Sequence, residues 1–141
     1  MLKDSKAMQN PHLERLKSIL TLPDTLDFLV LVGSRALDTA QQTSDWDIAF
    51  QFSPEAGTIH SNPMCYLAMV EALREDLAIA LAVDDSSIDL IDAANSNLAM
   101  KAVIAEEGLV ITGDEKLPWY HFLTRTWREL EDWYWEQEHA A

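Results

Sequence analysis

Apolar and polar residues follow two patterns along this chain, and these patterns predict its strands and helices. Short apolar or alternating segments predict strands, whereas apolar residues spaced three or four positions apart predict amphipathic helices. The predicted strands are residues 27–32, 45–52, 87–92 and 109–112. The predicted helices are residues 11–21, 34–39 and 64–83, a segment between Asn95 or Ser96 and Gly108, and the residues beyond Pro118.

The order of these elements predicts the fold class. At 141 residues and 48% hydrophobic, the chain has enough apolar side chains for one core and leaves no room for a second. We therefore predict a single α+β domain over residues 1–141, α/β-like in its order, with a small mixed sheet of about four strands flanked by helices. The long helix should pack across the apolar face of the sheet through Tyr66, Val70, Leu73, Leu77 and Leu81.

The second predicted strand carries the first candidate chemistry. Side chains alternate between the faces of a strand, so Asp45 and Asp47 should point the same way, close enough to share a divalent ion. A site made only of carboxylate oxygens suits Mg²⁺. The same face continues through Ala49 and Gln51, which predicts a polar or small face open to solvent and ligand, opposite an apolar face that belongs to a core.

A candidate phosphate-binding turn precedes this strand. Gly33 and Ser34 follow the apolar run 28–32, so they lie where the first strand ends. A glycine there lets the backbone turn sharply, and the following N–H groups and the Ser34 hydroxyl can point at phosphate oxygens. Arg35 comes next and either neutralises charge on a triphosphate or acceptor, or forms a structural salt bridge. The alternative for the whole motif is an ordinary turn followed by a solvated strand face.

The third predicted strand offers another carboxylate. Asp89 lies between aliphatic residues in the middle of segment 87–92, where an isolated charge is costly unless a metal ion or a partner compensates it. We therefore choose Asp89 as the third carboxylate of the site. Two alternatives stay open. Asp89 faces water on an exposed edge, or Asp92 supplies the carboxylate, although its position near the strand end suits a cap of the next helix.

The segments Gly33–Ala36 and Ser44–Ile48 together resemble the signature of the DNA polymerase β-type nucleotidyltransferase superfamily. The likeness covers about residues 26–111, which is most of the chain. Within the superfamily, the short chain is similar to the minimal nucleotidyltransferases encoded beside HEPN-domain toxins. The resemblance implies a polymerase β-type core, ATP as the substrate and two Mg²⁺ ions.

The resemblance also implies roles for the candidate residues. Gly33, Ser34 and Arg35 would bind the triphosphate, and Asp45, Asp47 and Asp89 would be the catalytic metal ligands. One ion, held by all three carboxylates, would activate the attacking hydroxyl, and the other, held by Asp45 and Asp47, would stabilise the leaving pyrophosphate. Asp89 is also a candidate general base.

Charge and cysteine content indicate which class of partner the protein binds and in which cellular compartment it works. The net charge is −14, and residues 71–141 hold sixteen of the 24 acidic residues. Direct nucleic-acid binding needs a basic surface, so this charge argues against it and favours a basic protein partner. The single cysteine, Cys65, has no partner for a disulfide, and no apolar stretch predicts a signal peptide or membrane span. We expect a cytoplasmic protein that makes no membrane contact.

The identity of the acceptor rests on the resemblance. Larger superfamily members add a domain for their acceptor, and the core accounts for most of this chain, which favours an acceptor that brings its own binding surface. The resemblance implies that AMP passes from ATP to a tyrosine of a cognate HEPN toxin, a basic RNase, in a hetero-oligomer. The alternatives are a small-molecule nucleotidyltransferase acting on an antibiotic or metabolite, and a non-catalytic antitoxin that acts by binding alone.

The terminal helix is rich in tryptophan and offers a candidate contact surface. One stripe at helical spacing is more typical of a core face than of a contact surface, and it comprises Trp119, Leu123, Trp127, Leu130 and Tyr134. Trp133 and Trp135 lie off this stripe among acidic residues, and exposed tryptophans of this kind suit a docking site. A homodimer contact, or packing on the N-terminal helix, is the alternative.

Overall fold

The computed structural model describes residues 13–14, 16–17, 25–41, 43–54 and 62–140. After residue 25, four strands and three helices follow one another as β1 (Leu26–Val32), β2 (Trp46–Phe52), α1 (Pro63–Leu81), β3 (Ile88–Asp92), α2 (Leu98–Glu107), β4 (Leu109–Thr112) and α3 (Leu117–His139). Short 3-10 turns lie at Gly33–Arg35 and Asp85–Ser87. The predicted α+β class with a small mixed sheet is confirmed.

The sheet topology brings the ends of three strands together at one edge, the side of the sheet where strands begin or end. The strand order is β3-β2-β1-β4. β1 pairs antiparallel with β2 and β4, whereas β2 and β3 are parallel. Parallel neighbours need a crossover connection, and α1 lies in that connection. The end of β1 therefore lies at the same edge as the starts of β2 and β3.

One face of the sheet packs on α1, as the apolar pattern predicts. β2 directs Trp46, Ile48, Phe50 and Phe52 into this core. There they meet buried residues of α1, among them Leu73 and Leu77. Most of the predicted helix at 11–21 falls outside the described residues, but residues 13, 14, 16 and 17 are helical. Leu13 and Leu16 are buried in the same core.

The second face of β2 is wrongly predicted to be open to solvent along its length. Ala49 is fully buried and packs in a second core with Ala93 and Ile104 of the α2 region and with Trp119 and Phe122 of α3. A small side chain at position 49 lets the covering helices approach the sheet closely. Apolar residues of α2 and α3 gain burial there, so the open part of this face is confined to the edge of the sheet.

The start of α2 differs from the prediction by one or two residues. Asn97 is the cap, because its side-chain oxygen accepts a hydrogen bond from the Met100 N–H at 2.8 Å. Neither Asn95 nor Ser96 caps the helix, since both turn back to Asp92. Asn95 Nδ2 donates to the Asp92 carboxylate, and Ser96 Oγ donates to the Asp92 carbonyl. Gly108 follows the helix as predicted.

The segment between β1 and β2 is less regular than predicted. The predicted helix at 34–39 reduces to the 3-10 turn Gly33–Arg35, and Asp38 adopts a left-handed conformation with φ 58° that cannot continue a helix. β2 begins at Trp46, so Asp45 precedes the strand instead of opening it. This short irregular segment still carries the chain back to the edge where β1 ended.

Burial along α3 contradicts part of the predicted core stripe. Trp119, Phe122 and Thr126 are the buried residues, whereas Trp127 and Tyr134 are exposed. The physical reason is length, because a helix of 23 residues extends about 34 Å and a strand of seven residues only about 23 Å. The end of the helix therefore projects beyond the sheet. Among the helices in the described ranges, none combines the length and apolar character needed to cross a membrane.

Candidate active site

The edge where β1 ends and β2 begins brings a turn and a carboxylate together. After Val32 the chain turns at Gly33 with φ +72°, a left-handed conformation that favours glycine. Space also requires a glycine, because a Cβ atom on residue 33 would collide with the Asp47 carboxylate. The N–H groups of Ala36 and Leu37 close the turn, and each donates to the Gly33 carbonyl at 3.1 Å. The candidate phosphate turn and the candidate metal ligand are therefore neighbours.

Asp47 lies where negative charge converges. It is the register partner of Asp89 across the parallel pair of β2 and β3. Asp47 is partly buried, whereas Asp89 and Asp45 are exposed. Burial raises the pKa of the Asp47 carboxyl above its ordinary value, and the negative charges of Asp89 and Asp45 raise it further. The charges of the two other carboxylates chosen from the sequence thus both act on Asp47 at this edge.

Asp92, the alternative third carboxylate, is engaged elsewhere. Its carboxylate accepts hydrogen bonds from the Tyr66 hydroxyl at 2.5 Å and from the Asn95 amide at 2.8 Å. Burial raises the pKa of Tyr66, and the hydrogen bond to Asp92 and its negative charge raise it further. These contacts tie Asp92 to α1, on the other side of β3 from Asp89. They favour a structural role for Asp92.

Asp89 differs from the expectation in one respect. β3 is an edge strand of the sheet and Asp89 is exposed, so it is not a charge buried between aliphatic neighbours. Because Asp89 is exposed, the cost of burying its charge is not a reason to assign it to the site. The reason is its register beside Asp47, which a reading of segment 87–92 alone could not provide.

Arg35 holds the loop that leads into β2. Its guanidinium lies over the Trp46 ring, 4.4 Å from the ring centroid, and its Nη2 donates to the Ser44 carbonyl at 2.8 Å. Trp46 points into the core on the α1 side, away from Asp47. These contacts favour a structural role for Arg35 that fixes the backbone around Asp45. The sequence reasoning missed Trp46 as a platform, although tryptophan is the best aromatic partner for a cation.

Residues 14–116 match the family model described as Polymerase beta, Nucleotidyltransferase. The chain belongs to this family. The matched segment contains the Gly33 turn and the carboxylates of Asp45, Asp47 and Asp89, so the motif and the match cover the same part of the chain. Among curated protein sequences, none matches this nucleotidyltransferase at a significant level.

Solved structures of toxin–antitoxin complexes share the fold of this nucleotidyltransferase. A toxin–antitoxin crystallised with AMP-PNP contains a chain that is 21% identical, with a TM-score of 0.59, over 96% of this chain and 92% of that one. A chain of the MntA-HepT toxin–antitoxin is 20% identical, with a TM-score of 0.53, over 97% and 92%. A complex of tri-AMPylated Shewanella oneidensis HEPN toxin with MNT antitoxin contains a chain 21% identical, with a TM-score of 0.57, over 93% of each.

The donor set of the nucleotidyltransferase site fits Mg²⁺. Asp45, Asp47 and Asp89 supply carboxylate oxygens, which Mg²⁺ prefers to nitrogen or sulfur ligands. Burial raises the pKa of Asp47, and the negative charges of Asp89 and Asp45 raise it further; a divalent cation would relieve that repulsion. Across the described residues, no three or more His, Cys, Asp or Glu side chains lie close enough together to hold a metal ion as they stand. Asp45 and Asp89 are exposed and would turn toward Asp47 to bind the ion.

A cleft of about 160 Å³ lies at the opposite end of β2. It is lined by Gln51, Ala94, Lys101, Phe122, Arg125, Thr126 and Glu129. Gln51 Nε2 donates to the Asp27 carboxylate at 3.0 Å, and Gln51 Oε1 is buried without a hydrogen-bond partner in the part of the chain that the structure describes. The buried side chain of Ala49 lies between Gln51 and Asp47 along the strand. The cleft is therefore separate from the carboxylate site.

Proposed function

We propose that this nucleotidyltransferase is an antitoxin that transfers AMP from ATP to a tyrosine of a cognate HEPN RNase toxin and so neutralises the toxin. The convergence of Asp45, Asp47 and Asp89 beside the Gly33 turn carries the proposal, because it combines a metal-binding donor set with a turn suited to phosphate. The likeness of fold to chains of toxin–antitoxin complexes supports the choice of acceptor.

The proposed reaction is a displacement at the α-phosphorus of ATP. The tyrosine oxygen attacks, an oxygen–phosphorus bond forms, and the bond from the α-phosphorus to the bridging oxygen breaks and releases pyrophosphate. Asp45, Asp47 and Asp89 would hold Mg²⁺, which would supply a positive charge that favours deprotonation of the hydroxyl and neutralises the leaving group. Asp89 lies exposed on the edge strand, where its carboxylate accepts the proton of the incoming hydroxyl.

The Gly33 turn orients the triphosphate for this attack. The Ser34 hydroxyl binds phosphate oxygens, and the left-handed conformation of Gly33 allows the sharp turn in which Ser34 lies. Holding the phosphates in place converts a reaction between separate molecules into one between positioned atoms, which lowers the barrier.

The charge of the chain supports a basic protein as the acceptor. The net charge is −14, and a surface of one sign steers partners of the opposite sign into encounter. A basic RNase therefore suits this surface better than a nucleic acid does, and a hetero-oligomer of the two proteins is the expected complex.

Intact-mass spectrometry tests the proposed transfer. The purified chain is mixed with MgATP and with the candidate toxin, a small helical protein with an Arg-x4–6-His motif encoded beside it. The toxin is expected to gain AMP units, and changing the modified tyrosine to phenylalanine should remove them. The Asp45→Asn/Asp47→Asn variant is the matched control and should leave the toxin unmodified.

The two other functions predict different results. A small-molecule nucleotidyltransferase would leave the toxin unmodified and release pyrophosphate only when an antibiotic or metabolite acceptor is supplied. A non-catalytic antitoxin would protect cells from the toxin as well with the Asp45→Asn/Asp47→Asn variant as with the wild type. Either result contradicts the proposal.

A further inference from the structure

The apolar face of α3 continues past the core on which the helix packs. Trp119, Phe122 and Thr126 follow one another at intervals of three and four residues and are buried. Leu130 and Trp133 extend the same stripe by two further turns. Leu130 is partly buried, whereas Trp133 is 46% exposed. The stripe thus emerges into solvent where the helix passes the end of the sheet.

Neighbouring residues widen this exposed face. Trp127 and Tyr134 lie beside Leu130 on the helix surface and are 40% and 60% exposed. The rings of Trp133 and Tyr134 meet edge to face, with centroids 5.1 Å apart. Together Trp127, Trp133 and Tyr134 leave roughly 300–400 Å² in water, which is the size of the largest apolar patch on a typical monomer, and such patches are often functional. We name Trp127, Leu130, Trp133 and Tyr134 the α3 aromatic patch.

The segment of α3 that carries the α3 aromatic patch is strongly acidic. Residues 127–139 contain five acidic side chains and a single arginine, Arg128. The acidic residues, all exposed, are Glu129, Glu131, Asp132, Glu136 and Glu138, and Glu129 is paired with Lys101 at 3.9 Å. An aromatic centre with an acidic rim matches an apolar surface rimmed by lysine and arginine. A second copy of the chain would bring like charges together, and an anionic lipid surface would repel the rim, so a basic protein fits best.

We infer that the α3 aromatic patch is the docking surface for a basic protein, the toxin of the proposed function, on which this inference rests. Tryptophan and tyrosine are the residues that most often carry the binding energy of interfaces. α3 packs on the second core, which covers the same sheet face as Ala49 and Asp47. A partner bound along α3 therefore lies on the same face of the sheet as Asp47, at the end of β2 that holds Gln51, because Glu129 of α3 lines the cleft there.

Affinity measurements on adjacent aromatic residues test the inference. Trp133→Ala/Tyr134→Ala removes the patch, and Trp135→Ala is the matched control. Trp135 is 60% exposed like Tyr134, but it points to another side of the helix, where it stacks on His139. Calorimetric titration with the purified toxin is expected to show a Kd raised about 30-fold or more by the patch variant and less than about threefold by the control. The changed residues are exposed, and circular dichroism will verify that each variant folds.

Activity in the same mixtures separates docking from chemistry. At saturating toxin, the patch variant should transfer AMP at the wild-type rate, whereas Asp45→Asn/Asp47→Asn should bind normally and transfer none. If binding depends on the patch but the wild type transfers no AMP, docking stands and the proposed function fails. If the patch variant binds within about threefold of the wild type, docking is wrong. Docking is also wrong if sedimentation velocity shows that the patch instead joins two copies of this chain.

Discussion

The carboxylate of Asp47 occupies the space that a side chain on residue 33 would need. Gly33 is therefore required twice, once because its φ is +72° and once because Asp47 lies against it. The turn after β1 and the second residue of β2 are in contact. A substitution at Gly33 should therefore displace the Asp47 carboxylate.

Gly33→Ala is expected to damage activity more than stability. Strain at a positive φ costs about 1–2 kcal/mol of folding free energy. Displacement of the Asp47 carboxylate should lower AMP transfer about 100-fold or more, since misplacement of about 1 Å has that effect in active sites. Thermal unfolding and toxin AMPylation measure the two effects separately.

Gly113→Ala provides the matched control for that prediction. Gly113 also has a positive φ, +94°, and a Cβ there would collide with the Asp27 carbonyl. It lies after β4, away from the carboxylates, so this variant should lose stability while its folded fraction keeps the wild-type rate. Equal losses of rate in both variants would show that strain, and not the contact with Asp47, explains the effect.

Asp89→Asn and Asp92→Asn are expected to have opposite consequences. Asp89→Asn should abolish AMP transfer and leave the unfolding temperature unchanged or slightly raised, because Asp89 is exposed and its charge repels that of Asp47. Asp92→Asn should retain most activity and lose about 1 kcal/mol of stability, since it weakens hydrogen bonds from Tyr66 and Asn95. The reverse pattern in rates would make Asp92 the third carboxylate.

Asp47→Asn is expected to stabilise the metal-free protein at neutral pH while removing activity. Burial, Asp89 and Asp45 raise the pKa of Asp47 in the folded state above 3.8. The folded state thus binds this proton more tightly than the unfolded state, and ionised Asp47 lowers stability above its raised pKa. Because solvent screens this partly exposed group, we expect a gain of about 0.5–1 kcal/mol. Thermal unfolding in EDTA measures the gain.

The pH dependence of that gain has a defined sign. The gain should be complete above the raised pKa of Asp47, shrink as pH falls through it, and vanish below 3.8, where Asp47 is protonated in both states. Asp114→Asn changes an exposed aspartate away from the site and serves as the control. A gain that grows on acidification would show that burial and charge repulsion at Asp47 are not its cause.

Mg²⁺ is expected to reverse the order of stability between wild type and Asp47→Asn. A ligand that binds the folded state alone stabilises it by about 2.7 kcal/mol at a concentration one hundred times its Kd. The wild type should therefore gain unfolding temperature as Mg²⁺ is added, and Asp47→Asn should gain far less. Equal shifts in both proteins would place the ion elsewhere.

The local parts of the site are predictable from the sequence because each depends on neighbours in the chain. The strand before Gly33 and the alternation after Asp45 are both short-range patterns, and the structure places both at one sheet edge. The register of Asp47 with Asp89 is different, since it depends on two strands joined through α1. No spacing within segment 87–92 encodes that register, and the aliphatic neighbours of Asp89 wrongly predict that it is buried.

Periodicity predicts which residues share a helix face, but not how far the core beneath that face extends. For that reason the stripe predicts Trp127 and Tyr134 in the core, and the structure exposes both because α3 extends beyond the sheet. The cap of α2 shows a second limit. Three consecutive residues are good caps, and the choice of Asn97 follows from the contacts that Asn95 and Ser96 make with Asp92.

The sequence leaves two roles open for Arg35, binding the triphosphate and anchoring the loop, and substitution of Arg35 distinguishes between them. If it anchors the loop through Trp46 and Ser44, Arg35→Lys should lower stability by about 1 kcal/mol, because lysine keeps the charge but loses the planar stack. The KM for ATP should then change little. A double-mutant cycle with Trp46→Phe should give a coupling of about 0.5 kcal/mol or more. A tenfold rise in KM without such coupling would instead assign Arg35 to the triphosphate, since only a residue in contact with ATP affects its binding while leaving the loop intact.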